Sequence, residues 1–212
     1  MMAKLARHDI AHWALTGGLA VEHHDPRAAA RPVNDIDFVA ADFAAIPSSL
    51  AGDFLFHHVH PNDPPGKLIL QFVDPETALR VDVFRACAGT LRRAHDGVVS
   101  AADLVARLAR LLLDLAEGFA VPAKHAADYL RLAEVMNAEE AEIAWRDHRK
   151  PSHPATYREA SEIVRPLIRS RADLLIAPRY LPETARVCPR CVALDAFPLA
   201  DPRAIFALLG YC

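Results

Sequence analysis

The order of apolar and polar positions divides the chain into two textures. Residues 13–86 carry short apolar runs interrupted by Gly, Pro and Asp, the pattern of strands and turns. Residues 100–177 carry longer Ala/Leu/Arg/Glu segments, the pattern of helices. In the first part, residues 3–12 read as an opening helix, and 13–16 as a short apolar approach to Gly17-Gly18. Residues 19–24 read as a short helix and 25–34 as a loop. A strand is predicted at 35–40, a helix at 42–50 and a strand at 54–60. Residues 67–73 and 79–84 read as a hairpin, with Asp74-Pro75-Glu76-Thr77 supplying the turn.

The second part opens with a helix predicted over 101–117. Leu104, Val105, Leu108, Leu111, Leu112 and Leu115 fall on one face of it. Ser100 suits its N-cap, Asp103 is placed as an acidic capping partner, and Gly118 is a natural stop. Further helices are predicted at 122–136, 138–148 and 156–170. The Pro-rich segment after 177 is less regular, with a final short helix at 202–209. The fold class is therefore α/β (α+β): a mixed-sheet core over 1–95, then a helical C-terminal region over 96–212 with a Cys-containing tail.

Composition narrows the function classes. A chain of 212 residues that is 52% apolar can bury a substantial core. Its net charge of -3 does not suit a general polyanion binder. No apolar run approaches the ~18 residues of a membrane span. Charges and histidines interrupt the N-terminal MMAKLARHDIAHW, so it does not read as a secretory signal. A cytoplasmic protein with no membrane partner is expected.

The chemistry concentrates in TGGLAVEHHDPRAAARPVNDIDFV. Residues two apart on a strand share a face, so Asp35 and Asp37 project together while Ile36 and Phe38 point to the core. Two carboxylates held that close repel each other, and a divalent cation relieves the repulsion. Magnesium takes oxygen ligands, commonly carboxylates together with phosphate oxygens and water. Paired glycines let backbone amides approach a phosphate, and a following helix N-terminus adds a favourable partial charge. A third acid, Asp82, alternates with Val81 and Val83 in LRVDVF. If that strand neighbours 35–40, three carboxylates converge, a set suited to two-metal phosphoryl-group chemistry.

GG…DID followed by VDVF resembles the nucleotidyltransferase superfamily of polymerase beta. The resemblance covers roughly residues 10–135. It implies a nucleotidyltransferase core in which Gly17 and Gly18 form the phosphate turn. Asp35 and Asp37 would bind Mg2+ or Mn2+, and Asp82 would complete the catalytic metal site. The chain is most similar to small bacterial nucleotidyltransferases of the AbiEii/MenT toxin type. In those, a serine-acid-leucine helix and a lysine-acid helix follow, as VSAADLVARL and PAKHAADYLRL do here. That similarity makes Lys124 a candidate nucleotide-phosphate contact, with Asp128 in support. It also implies an NTP substrate, pyrophosphate release and a hydroxyl acceptor that is a small molecule, tRNA or protein. An antitoxin-like partner is a further implication. The alternative is a member that binds nucleotide or a regulatory partner without catalysis.

Other features have plainer readings. CPRC at 188–191 is half of a zinc ribbon. Zinc at Cys188 and Cys191 would need Cys212, Cys87 or a histidine such as His153, and two reduced cysteines on a turn is the favoured reading. His58 and His60 share a strand face, which permits a metal pair, but surface histidines on an edge strand are favoured. His23 and His24, with Arg27 and Arg31, adjoin the glycine motif and read as loop residues. From Trp145 to Arg186 there are nine Lys/Arg against five Asp/Glu, most simply a solvated helical face.

Overall fold

The computed structural model describes residues 1–28, 35–42, 45–59, 68–177 and 186–187. The chain forms two compact units. The described parts of 1–17 and 32–91, with residues 186–187, make a sheet unit, and those of 18–31 and 92–181 make a helical unit.

The sheet unit contains β1 (Ala14–Thr16), β2 (Asp35–Ala40), β3 (Leu55–Val59), β4 (Leu68–Val73), β5 (Arg80–Arg85) and β8 (Arg186–Val187). Their order is β1-β2-β5-β4-β3-β8. The β2–β5 and β3–β8 pairs are parallel and the others antiparallel, so the sheet is mixed as expected. Ile36, Phe38, Val81, Val83, Leu70 and Phe72 are buried. Alternation puts Ile36 and Phe38 on one face of β2, and Val81 and Val83 stand opposite them on β5. Trp13 packs on Phe38, with ring centroids 5.6 Å apart, and Phe54 meets Phe72 edge-on at 4.9 Å. Fully buried Leu5 and Leu50 extend this core.

The β4–β5 turn uses the expected DPET chemistry. Asp74 accepts from Thr77 Oγ1 at 2.7 Å and from the Glu76 amide at 3.3 Å, and Lys4 Nζ reaches it at 2.8 Å. The Lys4 ammonium, then the Thr77 hydroxyl, pull the Asp74 carboxyl down to about 2.

Two helices expected in this unit are shorter than the pattern implies. Only α1 (Met2–Leu5) forms within 3–12. Beyond it His8 bonds Ser49 Oγ and Asp53 Oδ2, both at 2.9 Å, and the chain runs on in turns. Within 42–50, Asp42 turns its side chain onto the Ala45 amide, and Pro47 has no amide proton to give a helix. The described residues there hold 3-10 structure at Ala45 and over Ser48–Gly52 and no α-helix.

Between β1 and β2 the chain makes α2 (Gly17–His24). It starts two residues earlier than predicted, so both glycines lie in its first turn. In the helical unit are α4 (Ala101–Leu113), α5 (Ala123–Val135), α6 (Ala138–His148) and α7 (Tyr157–Ser170). The linking helix α3 (Ala88–Arg93) precedes them, and the small parallel pair β6 (Val121–Pro122) and β7 (Leu175–Ile176) completes the unit. α4 packs against α5, α6 and α7. Contact on three sides explains why Ala102, Ala106 and Ala109 are buried along with the predicted leucine face, whereas Leu111 is half-buried. After Leu113 the chain tightens into i→i−3 turns and stops at Gly118, whose φ of +86° favours glycine.

Ser100 caps α4 as predicted, its Oγ accepting from the Asp103 amide at 3.1 Å. The Asp103 carboxylate does not return the bond to the Ser100 backbone. It accepts instead from Ser100 Oγ at 2.8 Å, from both Nε and Nη2 of Arg93 at 2.8 and 2.7 Å, and from His148 Nε2 at 2.9 Å. Its side chain is fully buried, so this acid is an anchor for α3, α4 and α6. The Thr156 capping box starts α7. Among the described residues no helix is long and apolar enough to cross a membrane.

Candidate functional site

The site grows out of strand register. Asp35 and Asp37 alternate with buried Ile36 and Phe38 along β2 and so share the opposite face. In the parallel β2–β5 pair, Asp35 stands opposite Arg80 and Asp37 opposite Asp82. On the other side of β2, Thr16 is in register with Asp37. Beyond β5, Gln71 is in register with Asp82. Laterally paired residues lie on the same face of a sheet. Thr16, Asp37, Asp82 and Gln71 therefore form a polar row, one residue from each of four strands.

The three acids come together as their sequence pattern predicts. Asp35, Asp37 and Asp82 each place a carboxylate oxygen within 4.8 Å of the others. Asp82 is buried, and the other two are half-buried. Fully charged pairs at that spacing repel by on the order of 3 kcal/mol at an effective dielectric near 20. Hard oxygen donors so arranged fit Mg2+ or Mn2+ by donor type.

Two neighbours that sequence reasoning missed hold these acids. Arg80 Nη2 donates to Asp35 Oδ2 at 2.8 Å, and its Nε lies 3.1 Å from Asp82 Oδ1. The second approach is too poorly aligned for a hydrogen bond, which leaves the buried Nε without one among the described residues. Gln71 Nε2 donates to Asp82 Oδ1 at 2.9 Å. Gln71 is 4% exposed, and its Oε1 has no hydrogen-bond partner among the described residues. Both residues left a signal in the sequence. Arg80 stands two positions before Asp82, hence on the same face, and Gln71 is the one polar residue in the apolar run LILQFV.

Gly17 packs directly on Asp37. Its φ is +65°, and a Cβ placed there would overlap the Asp37 carboxylate, lying 2.6 Å from Cγ. Glycine is required at this position for two reasons, backbone conformation and close approach. Gly17→Ala is expected to push the Asp37 carboxylate aside while the helical unit keeps its structure. Mn2+ affinity, measured by calorimetry, should fall roughly tenfold or more, with far-ultraviolet circular dichroism preserved. Wild-type affinity in this variant would remove Gly17 from the site.

The remaining residues singled out in the sequence are placed as follows. Gly18 is the second residue of α2 and belongs to the helical unit. Lys124 is half-buried in the first turn of α5, also in the helical unit, and Asp128 is buried on the same helix. His24 bonds the Val99 carbonyl at 2.8 Å and stands edge-on to His23, so its ring is engaged locally. Arg27 pairs with Asp25 at 2.8 Å. His153 is buried and stacks on Trp145 at 6.0 Å. Burial holds its imidazole below the ordinary histidine value. Cys87 is half-buried, while Cys188, Cys191, Cys212, Arg31, His60 and residues 202–209 lie outside the described residues. In the basic segment, Lys150 pairs with Asp114 at 2.7 Å and Arg158 with Glu162 at 3.3 Å, while Arg146, Arg149, Arg165 and Arg169 are exposed.

In comparisons with protein-family models, curated proteins and solved structures, nothing matches this chain.

Proposed function

We propose that the chain is a metal-dependent nucleotidyltransferase that moves an NMP from an NTP to a hydroxyl acceptor and releases pyrophosphate. The observation that carries this reading is the convergence of Asp35, Asp37 and Asp82 beside Gly17. Three carboxylates on adjacent strands are an expensive arrangement to keep without a cation to hold. A bound Mg2+ or Mn2+ would polarise the phosphoryl group and neutralise charge developing on the leaving pyrophosphate.

The chain's own residues have distinct tasks in this reaction. Asp35 and Asp37 would hold the cation, Gly17 leaves room at the start of α2 for Asp37 and for a phosphate, and Asp82 would complete the metal site and favour deprotonation of the acceptor hydroxyl. Gln71 orients Asp82 through its amide. The roles of Gly18 and Lys124 as phosphate contacts rest on the family resemblance alone. So do the acceptor classes (small molecule, tRNA or protein) and an antitoxin-like partner.

A second reading is a regulatory protein that binds nucleotide or a partner without catalysis. It is favoured by Arg80, whose guanidinium itself offsets part of the triad's charge. NTP binding by calorimetry, with and without magnesium, separates the two. Wild type should bind in a magnesium-dependent way, and the Asp35→Ala/Asp37→Ala double variant should not. Failure of the folded wild type to bind any of the four NTPs would sink the enzymatic reading.

A further inference from the structure

The three acids carry three negative charges, and among the described residues Arg80 brings a positive charge to two of them. Arg80 comes from the same face of β5 as Asp82 and sits opposite Asp35 in the register. Its guanidinium touches Asp35 through Nη2 at 2.8 Å and approaches Asp82 through Nε at 3.1 Å. One planar group thus spans two of the three carboxylates. The fit is incomplete, because the buried Nε approaches Asp82 without the alignment of a hydrogen bond. Beside it, Gln71 is 4% exposed with an Oε1 that has no partner among the described residues, an oxygen of the kind a cation or its water would use.

We propose that Arg80 is a resident counter-cation that competes with a divalent metal ion for Asp35 and Asp82. The inference rests on the metal-site reading above and adds a control on it. In the metal-free protein the guanidinium relieves repulsion among the acids and makes the polar row compatible with folding. A divalent ion entering the triad shares the carboxylates of Asp35 and Asp82 with Arg80, and it meets a positive charge on arrival. The affinity of the site is therefore lower than three carboxylates alone would give. Metal occupancy then answers to cation concentration rather than remaining permanently saturated.

The test is Mn2+ binding by calorimetry, without nucleotide, on wild type, Arg80→Gln and Arg80→Lys. Thermal melts with and without Mn2+ accompany it. Arg80→Gln should bind Mn2+ roughly tenfold more tightly than wild type, because a competing charge is gone. Its metal-free form should melt lower, and Mn2+ should raise that melting point more than it raises wild type's. Arg80→Lys keeps the charge as a point that cannot span both carboxylates, so its affinity should fall between the two. It carries the test if Arg80→Gln does not fold. Asp37→Asn combined with Arg80→Gln should lose the gain, which ties the binding to the triad. Equal or weaker Mn2+ binding by both Arg80 variants overturns the competition while leaving the metal site standing. Absence of Mn2+ binding in wild type and in both variants overturns the metal-site reading itself.

Discussion

If the acidic triad holds a divalent cation as proposed, Asp37→Asn should leave a folded protein that no longer binds it. Asp37 is the middle member of the polar row, flanked by Thr16 on β1 and Asp82 on β5, with Gly17 pressed against its carboxylate. Asparagine fills the same space, so the packing on Gly17 survives while one negative charge is removed. Metal stabilisation of a phosphoryl-transfer transition state amounts to several kcal/mol, so transfer should fall by about a thousandfold or more. Stability should change little, because relief of the repulsion among three carboxylates offsets the loss of the charged group's other contacts, and the metal-free melting temperature should stay within a few degrees of wild type. Pyrophosphate release and a thermal melt on the same preparation check both. Wild-type turnover in this variant would show that the triad is not the reacting centre. A large drop in melting temperature would show that Asp37 is a structural residue.

Asp103→Ala should have the largest effect on stability. Its carboxylate is fully buried in the helical unit and satisfies Ser100, Arg93 and His148 at once. Removing one partner from a buried ionic network costs about 3–5 kcal/mol, because the opposite charge stays behind. For a chain of this size that corresponds to a melting shift on the order of 10 °C. The effect should also depend on pH. Burial pushes the Asp103 carboxyl up, but bonds from Arg93, His148 and Ser100 outweigh it and hold the group well below the ordinary range. A value depressed in the folded state gives stability that is complete above the unfolded value of about 3.9 and is lost as the pH drops toward the folded one. The stability gap between wild type and Asp103→Ala in urea should therefore be widest near neutral pH and shrink at pH 3. A gap under about 1 kcal/mol at pH 7 would show that Arg93 and His148 are satisfied without it.

Much of this architecture was written in local pattern. The DID alternation defined β2, LRVDVF defined β5, and DPET defined the turn before it, because period-two burial and turn chemistry are properties of neighbouring residues. The helices from 101 onward were legible for the same reason, down to the Ser100 cap. Where a tertiary bond competed with propensity, the pattern misled. His8 reaches Ser49 and Asp53 where a longer opening helix was expected, and the Asp103 carboxylate, besides bonding its own cap Ser100, is drawn onto Arg93 and His148.

The sequence by itself determined which acids share a strand face and which glycines precede them, since both follow from spacing along one segment. Only the tertiary structure decided that β2 and β5 lie side by side in parallel, with Asp37 level with Asp82. Pairing between strands more than forty residues apart depends on how the whole sheet is laid out, and no local periodicity encodes it. The same register brought Arg80 against Asp35 and Gln71 against Asp82, and so added a guanidinium and an amide to the three carboxylates.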